Sequence, residues 1–133
     1  MQADRLLIYA LDRILEIEKE ESMKFKIPSC FSAKEHFATA YGIITGDETP
    51  EETVVLRVTD WHAHYLRSLP LHHTQTEKDS SNGYCTFEYH ICPTLDFQQE
   101  ILSMGAFVEV LSPQWLREQI GYTVKLMYEK YNQ

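Results

Sequence analysis

Thr53-Val54-Val55-Leu56-Arg57-Val58-Thr59 runs directly into Asp60-Trp61-His62-Ala63-His64-Tyr65-Leu66-Arg67-Ser68-Leu69-Pro70. The change of period between the two stretches decides the fold. In the first, Val54, Leu56 and Val58 alternate with Val55, Arg57 and Thr59, the spacing of a strand with one apolar face. In the second, Trp61, Tyr65, Leu66 and Leu69 recur at helical spacing and form the expected inner face. Asp60 is expected to cap that helix and Pro70 to end it.

Further along, the same order returns. A polar strand over 71–77 is expected at a sheet edge. The run 78–83 reads as a hairpin turn, with Asn82-Gly83 tolerating positive φ. The next strand sets Cys85, Phe87, Tyr89 and Ile91 on one face and Tyr84, Thr86, Glu88 and His90 on the other. Asp96 and Gln99 read as a capping pair for a helix with Phe97, Ile101 and Leu102 inward. Gly105 stops it, and 107–111 form the last strand. Ser112-Pro113 opens a final helix, where proline's missing amide costs nothing. Leu116, Ile120, Val124, Met127 and Tyr131 make its stripe. Two βαβ units joined by a hairpin give an α+β, ferredoxin-like βαββαβ sandwich, with both crossover helices on one face of a four-stranded sheet. The opposite face is left wet, or is covered by the final helix, an N-terminal helix or a second subunit.

Upstream lies an arm, residues 1–46, before a main domain from 53 to 133. Residues 5–21 fit either a strand or a helix. Ser32-Ala33-Lys34-Glu35 is a capping box for a short helix carrying Phe37, Ala40 and Tyr41, with Gly42 at its end. The acidic run Gly46-Asp47-Glu48-Thr49-Pro50-Glu51-Glu52 marks the boundary.

Across 133 residues, 44% are hydrophobic and 24% charged, enough for one domain of ordinary composition and against disorder. The net charge of −8 removes any general attraction for phosphate backbones, so contact with nucleic acid would rest on a few basic side chains. No apolar run reaches the ~18 residues of a membrane span, and no signal peptide is indicated. Cys30, Cys85 and Cys92 lack CxxC spacing and read as reduced thiols of a cytoplasmic protein. His62 and His64 do not face each other on a helix. His72 and His73, adjacent on a strand, are expected on opposite faces, so no metal site is expected. No nucleophile motif or phosphate loop occurs, and Glu88 and Glu109, neighbours across the sheet, read as solvated carboxylates. Neither catalytic residues nor a cofactor is expected.

Three stretches carry a resemblance: Tyr9-Ala10-Leu11-Asp12-Arg13-Ile14, then Pro70-Leu71-His72-His73-Thr74-Gln75, then the run from Ile101-Leu102-Ser103-Met104-Gly105-Ala106 to Leu111-Ser112-Pro113. Together they resemble the C-terminal part of bacterial WYL-domain transcriptional regulators. The first twenty or so residues look like the last strand of the WYL barrel, and the chain from about Val54 onward like the C-terminal extension called the WCX domain. Leu7 stands where the family usually has an arginine, and the Trp-Tyr-Leu signature is absent.

The resemblance implies an effector-sensing, dimer-forming module that lacks its DNA-binding domain. It implies a homodimer, with operator DNA reached only through that missing N-terminal part. It also implies a nucleotide or single-stranded nucleic-acid effector held by Arg13, Arg57, His72 and Gln75, with Arg67 a further basic residue. Exposed Leu6, Leu7, Ile8 and Tyr9 of the arm predict self-association. The alternative is a free-standing ferredoxin-like module that binds a small molecule or a protein.

Overall fold

In the computed structural model, residues 8–45 and 49–133 are described. The chain divides into two compact units, 1–31 and 32–133.

In the first unit the described residues, 8–31, make a single 3-10 turn at Leu11–Arg13, flanked by extended Ala10 and Ile14. They form neither the strand nor the helix that residues 5–21 allowed. An extended segment becomes a strand only when another strand satisfies its backbone groups, and no described residue of this unit does so. Tyr9, Leu11, Leu15 and Ile17 are exposed. Leu6 and Leu7 lie outside the described residues.

The second unit opens with α1 (Ala33–His36), where the Ser32 hydroxyl accepts from the Glu35 amide at 3.4 Å. The helix stops after one turn. The chain then lies against the domain, with the Cys92 amide donating to the Thr39 carbonyl at 2.8 Å and Ala40 buried. Tyr41 packs edge-on against Phe97. The compact unit therefore begins at Ser32, ahead of the acidic run.

The sheet consists of β1 (Glu52–Thr59), β2 (Thr76–Ser81), β3 (Tyr84–Ile91) and β4 (Val108–Ser112). Its order is β2-β3-β1-β4 and every pairing is antiparallel. With α2 (Asp60–Ser68) and α3 (Leu95–Ser103) as the crossovers, this is the ferredoxin-like arrangement, extended by α4 (Gln114–Tyr131). Val54, Leu56 and Val58 of β1 and Cys85, Phe87, Tyr89 and Ile91 of β3 are buried in one core with Ala63, Leu66, Phe97, Ile101, Val110 and Leu116.

The edge strand β2 is exposed along its whole length. It begins five residues later than expected, because Leu71–Gln75 are held by side-chain bonds in a loop, and it extends to a two-residue turn. Asn82 (φ 54°) and Gly83 (φ 82°) form that turn, whose left-handed backbone matches the twist of a hairpin. Two helix starts differ from expectation. Thr59 and Thr94 occupy the N-cap positions. Asp60 instead accepts from the Cys85 thiol at 3.1 Å, and Asp96 from the Phe97 amide at 2.9 Å. On α2 the buried residues are Ala63 and Leu66, whereas Trp61, Tyr65 and Leu69 are exposed.

Candidate functional site

The strand alternation that buries one face of the sheet turns a polar face outward. Along β1 and β3 the register sets Arg57 opposite Thr86 and Val55 opposite Glu88, while β4 sets Glu109 opposite Arg57. The Arg57 guanidinium lies 5.1 Å from the centre of the Tyr84 ring, a cation–π distance. It also pairs with Glu109. From α4, Arg117 reaches the same carboxylate at 2.8 Å and donates to the Val110 carbonyl at 2.5 Å. The Arg117 bond, helped by Arg57, holds the Glu109 carboxyl below its usual value against the opposing effect of burial. Two guanidiniums thus share one carboxylate, which leaves a local positive charge in an acidic chain.

A second group continues the face toward the other end of the strands. Lys78 pairs with Glu88 at 3.2 Å, the His90 ring lies 3.6 Å from the same carboxylate, and Thr53 Oγ1 is 3.2 Å from His90 Nδ1. Glu88 and Glu109 are therefore not neighbours. β1 runs between their strands, and each carboxylate is matched by its own cation.

Gln75 and His72 lie elsewhere. Gln75 Oε1 accepts from the Leu71 amide at 3.1 Å and from the Tyr89 hydroxyl at 2.9 Å, while its Nε2 donates to the Leu66 carbonyl at 2.8 Å. One amide thereby ties the end of α2, the following loop and β3. Tyr89 points into the core and Arg57 away from it, so Gln75 and Arg57 occupy opposite faces of the sheet. His72 is buried and sits in the loop with its Nδ1 2.7 Å from Thr74 Oγ1. Thr74 Oγ1 donates to the His90 carbonyl and accepts from the His90 amide, both at 3.1 Å. Burial lowers the His72 pKa, and neighbouring His73 adds to this. The two rings lie 4.1 Å apart rather than on opposite faces, because the backbone here is a turn and not a strand. Arg13 is exposed on the 3-10 turn of the first unit. Arg67 is committed to Glu77, with bonds of 2.9 and 2.7 Å.

One surface escaped the sequence reading. Trp61, Tyr65 and Phe107 are exposed and form a ring cluster, with Trp61 5.2 Å from Tyr65 and 5.7 Å from Phe107, while His62 stacks on Phe107 at 5.6 Å. The signal was present in the i, i+4 spacing of Trp61 and Tyr65, which describes an outward stripe as well as an inward one.

Of these surfaces, the Arg57–Tyr84–Glu109–Arg117 constellation has the chemistry to meet a ligand. Its guanidiniums suit an anion, and the aromatic ring beside them suits a planar group. Among the described residues no three His, Cys, Asp or Glu side chains gather in a way that could hold a metal ion. None of the described helices is long and apolar enough to cross a membrane. Compared with known families, residues 50–128 match the model of the WCX domain. No curated protein matches the chain.

Proposed function

The chain belongs to the WCX domain family, and from that premise we propose that it is the effector-sensing and dimer-forming module of a WYL-type transcriptional regulator. A WCX domain is associated with such regulators, and that association supports a regulatory role in general terms. The observation that carries the finer reading is the pair of guanidiniums gathered on Glu109 beside Tyr84, on the outward face of the sheet. In a chain of net charge −8 it offers an anionic, base-bearing effector a local foothold. Arg57 and Tyr84 would contact a nucleotide or a short single strand. Arg13, exposed in the first unit, is a candidate cation in its own right. Gln75, through its three hydrogen bonds, and His72, through its Nδ1 beside Thr74, would act by keeping the loop after α2 in place.

The mechanism is a population shift. An effector that binds one dimer arrangement more tightly than another changes how DNA-binding domains of the same regulator are presented. The module does no chemistry of its own in this account. Exposed Ile8, Tyr9, Leu11 and Leu15 of the first unit supply apolar surface for association with a second copy.

Fluorescence anisotropy with a labelled single-stranded oligonucleotide tests the effector reading. Salt-sensitive binding that Arg57→Ala weakens is expected. Binding that this substitution leaves unaltered, or none at low salt, contradicts it. Light scattering tests association: a monomer at every concentration contradicts the dimer.

A further inference from the structure

We propose that the groove between α4 and the α3–β4 side of the domain is a binding site for a long-chain aliphatic carboxylate. This groove borders the sheet-face constellation and shares Glu109 and Arg117 with it, but its apolar walls lie apart from Arg57 and Tyr84, and the proposal does not rest on the regulatory reading. The groove encloses about 560 Å³, inside the ~300–1,000 Å³ of small-molecule sites. Ile101, Leu102, Val108, Val124, Met127 and Tyr131 are among the side chains that line it. Arg117 and Glu109 are its charged members.

Its walls have a reason to be apolar and open. The stripe of α4 begins in the core at Leu116, which is fully buried, and continues outward to Val124 and Met127, which are about half exposed. Burying such side chains against an alkyl chain is favourable in proportion to the apolar area removed from water. From Arg117 to Tyr131 the helix covers about 21 Å at ~1.5 Å per residue, a length that suits an extended chain better than a compact ring.

The charge pattern selects the head group. Glu109 is shared by Arg57 and Arg117, so this end of the groove carries an excess of one positive charge. Arg117 uses Nη1 for both of its bonds. Among the described residues its Nε and Nη2 have no hydrogen-bond partner, and its side chain is 44% exposed. A half-used guanidinium takes an oxyanion such as a carboxylate through its free N–H groups. With the head at Arg117, the tail would lie along Val124, Met127 and Tyr131.

The test is a fluorescence titration of the whole chain with dansyl-undecanoic acid, repeated with the uncharged primary amide of the same probe. One saturable site is expected, with the acid preferred over the amide by roughly tenfold, the scale of a lost charge-assisted hydrogen bond. Val124→Glu, at a half-exposed position, should abolish binding while the urea midpoint stays unchanged. Arg117→Gln should weaken the acid to the affinity of the amide, and Trp61→Ser, on the separate aromatic cluster, should change nothing. Equal binding of acid and amide would overturn the head-group assignment. Binding that survives Val124→Glu, or no binding at all, would overturn the site. A dimer in light scattering that Val124→Glu dissociates, with no probe bound, would give the groove to a second copy instead.

Discussion

The same strands build both faces of the sheet, yet the two faces are held together by different physics. On the helix-covered face Leu56, Phe87 and Tyr89 are buried, and Gln75, the polar group that reaches them, is bonded to three partners. On the outward face Arg57, Glu88, His90 and Glu109 are paired but remain within reach of water. Burial makes the first face the source of stability. Exposure makes the second adjustable, because a surface ion pair contributes little and can be exchanged for a ligand. Sequence alternation alone creates this division of labour.

Substitutions can break that comparison, and the largest effect belongs to the covered face. Phe87→Ala should lose about 3–5 kcal/mol of stability in urea unfolding, through lost transfer energy and the cavity left behind. A loss below about 1 kcal/mol would mean that the core is not where Phe87 places it. Next comes Gln75→Ala, which strands the Leu71 amide, the Leu66 carbonyl and the Tyr89 hydroxyl. A cost of about 2 kcal/mol is expected, with Gln75→Glu unable to restore the donor to Leu66.

His72 sharpens the comparison through pH. Burial lowers its folded pKa below the unfolded value of about 6.5. The folded state therefore resists protonation, and stability falls as pH drops from about 6.5 through the folded pKa. His72→Asn should flatten that part of the profile. An unchanged slope would show that another group titrates there.

The smallest effect belongs to the outward face. The Glu109 carboxyl is held below its usual value by Arg117 and then Arg57. Its contribution is present above the ordinary carboxylate pKa and is lost as pH falls through the folded one. Because about a third of that side chain is exposed, screening keeps the contribution under about 1 kcal/mol. Glu109→Gln should accordingly cost less than Gln75→Ala at neutral pH and remove the acid-side loss.

Where sequence reading succeeded, local rules and burial agreed. Cys85, Phe87, Tyr89 and Ile91 alternate over a core, and Asn82-Gly83 has one favourable use between two strands. Where it failed, an apolar side chain had two possible destinations. Helical spacing allows Trp61 and Tyr65 to face inward, but Ala63 and Leu66 are the buried residues of α2, and the larger rings cluster outside with Phe107. The stripe of α4 is legible in the sequence, yet Leu116 is its buried member, since helical spacing does not say how far along a helix the core extends. For the sheet-face constellation Arg57 was visible and its partner was not. Glu109 lies 52 residues away, joined to Arg57 only by a strand register that no local pattern encodes. The histidine-glutamine stretch stands out through its resemblance to the WYL-regulator family, but its hydrogen bonds into the domain depend on where Tyr89 and Leu66 come to lie.

The most direct test of the outward face as a recognition surface is a nitrogen-15 NMR titration of the chain with a short single-stranded oligonucleotide. Shifts concentrated at Arg57, Tyr84, Thr86 and Glu109 are expected, with the amides of Leu66 and Phe97 unmoved. Shifts confined to Trp61, Tyr65 and Phe107, or no shifts at saturating oligonucleotide, would contradict it.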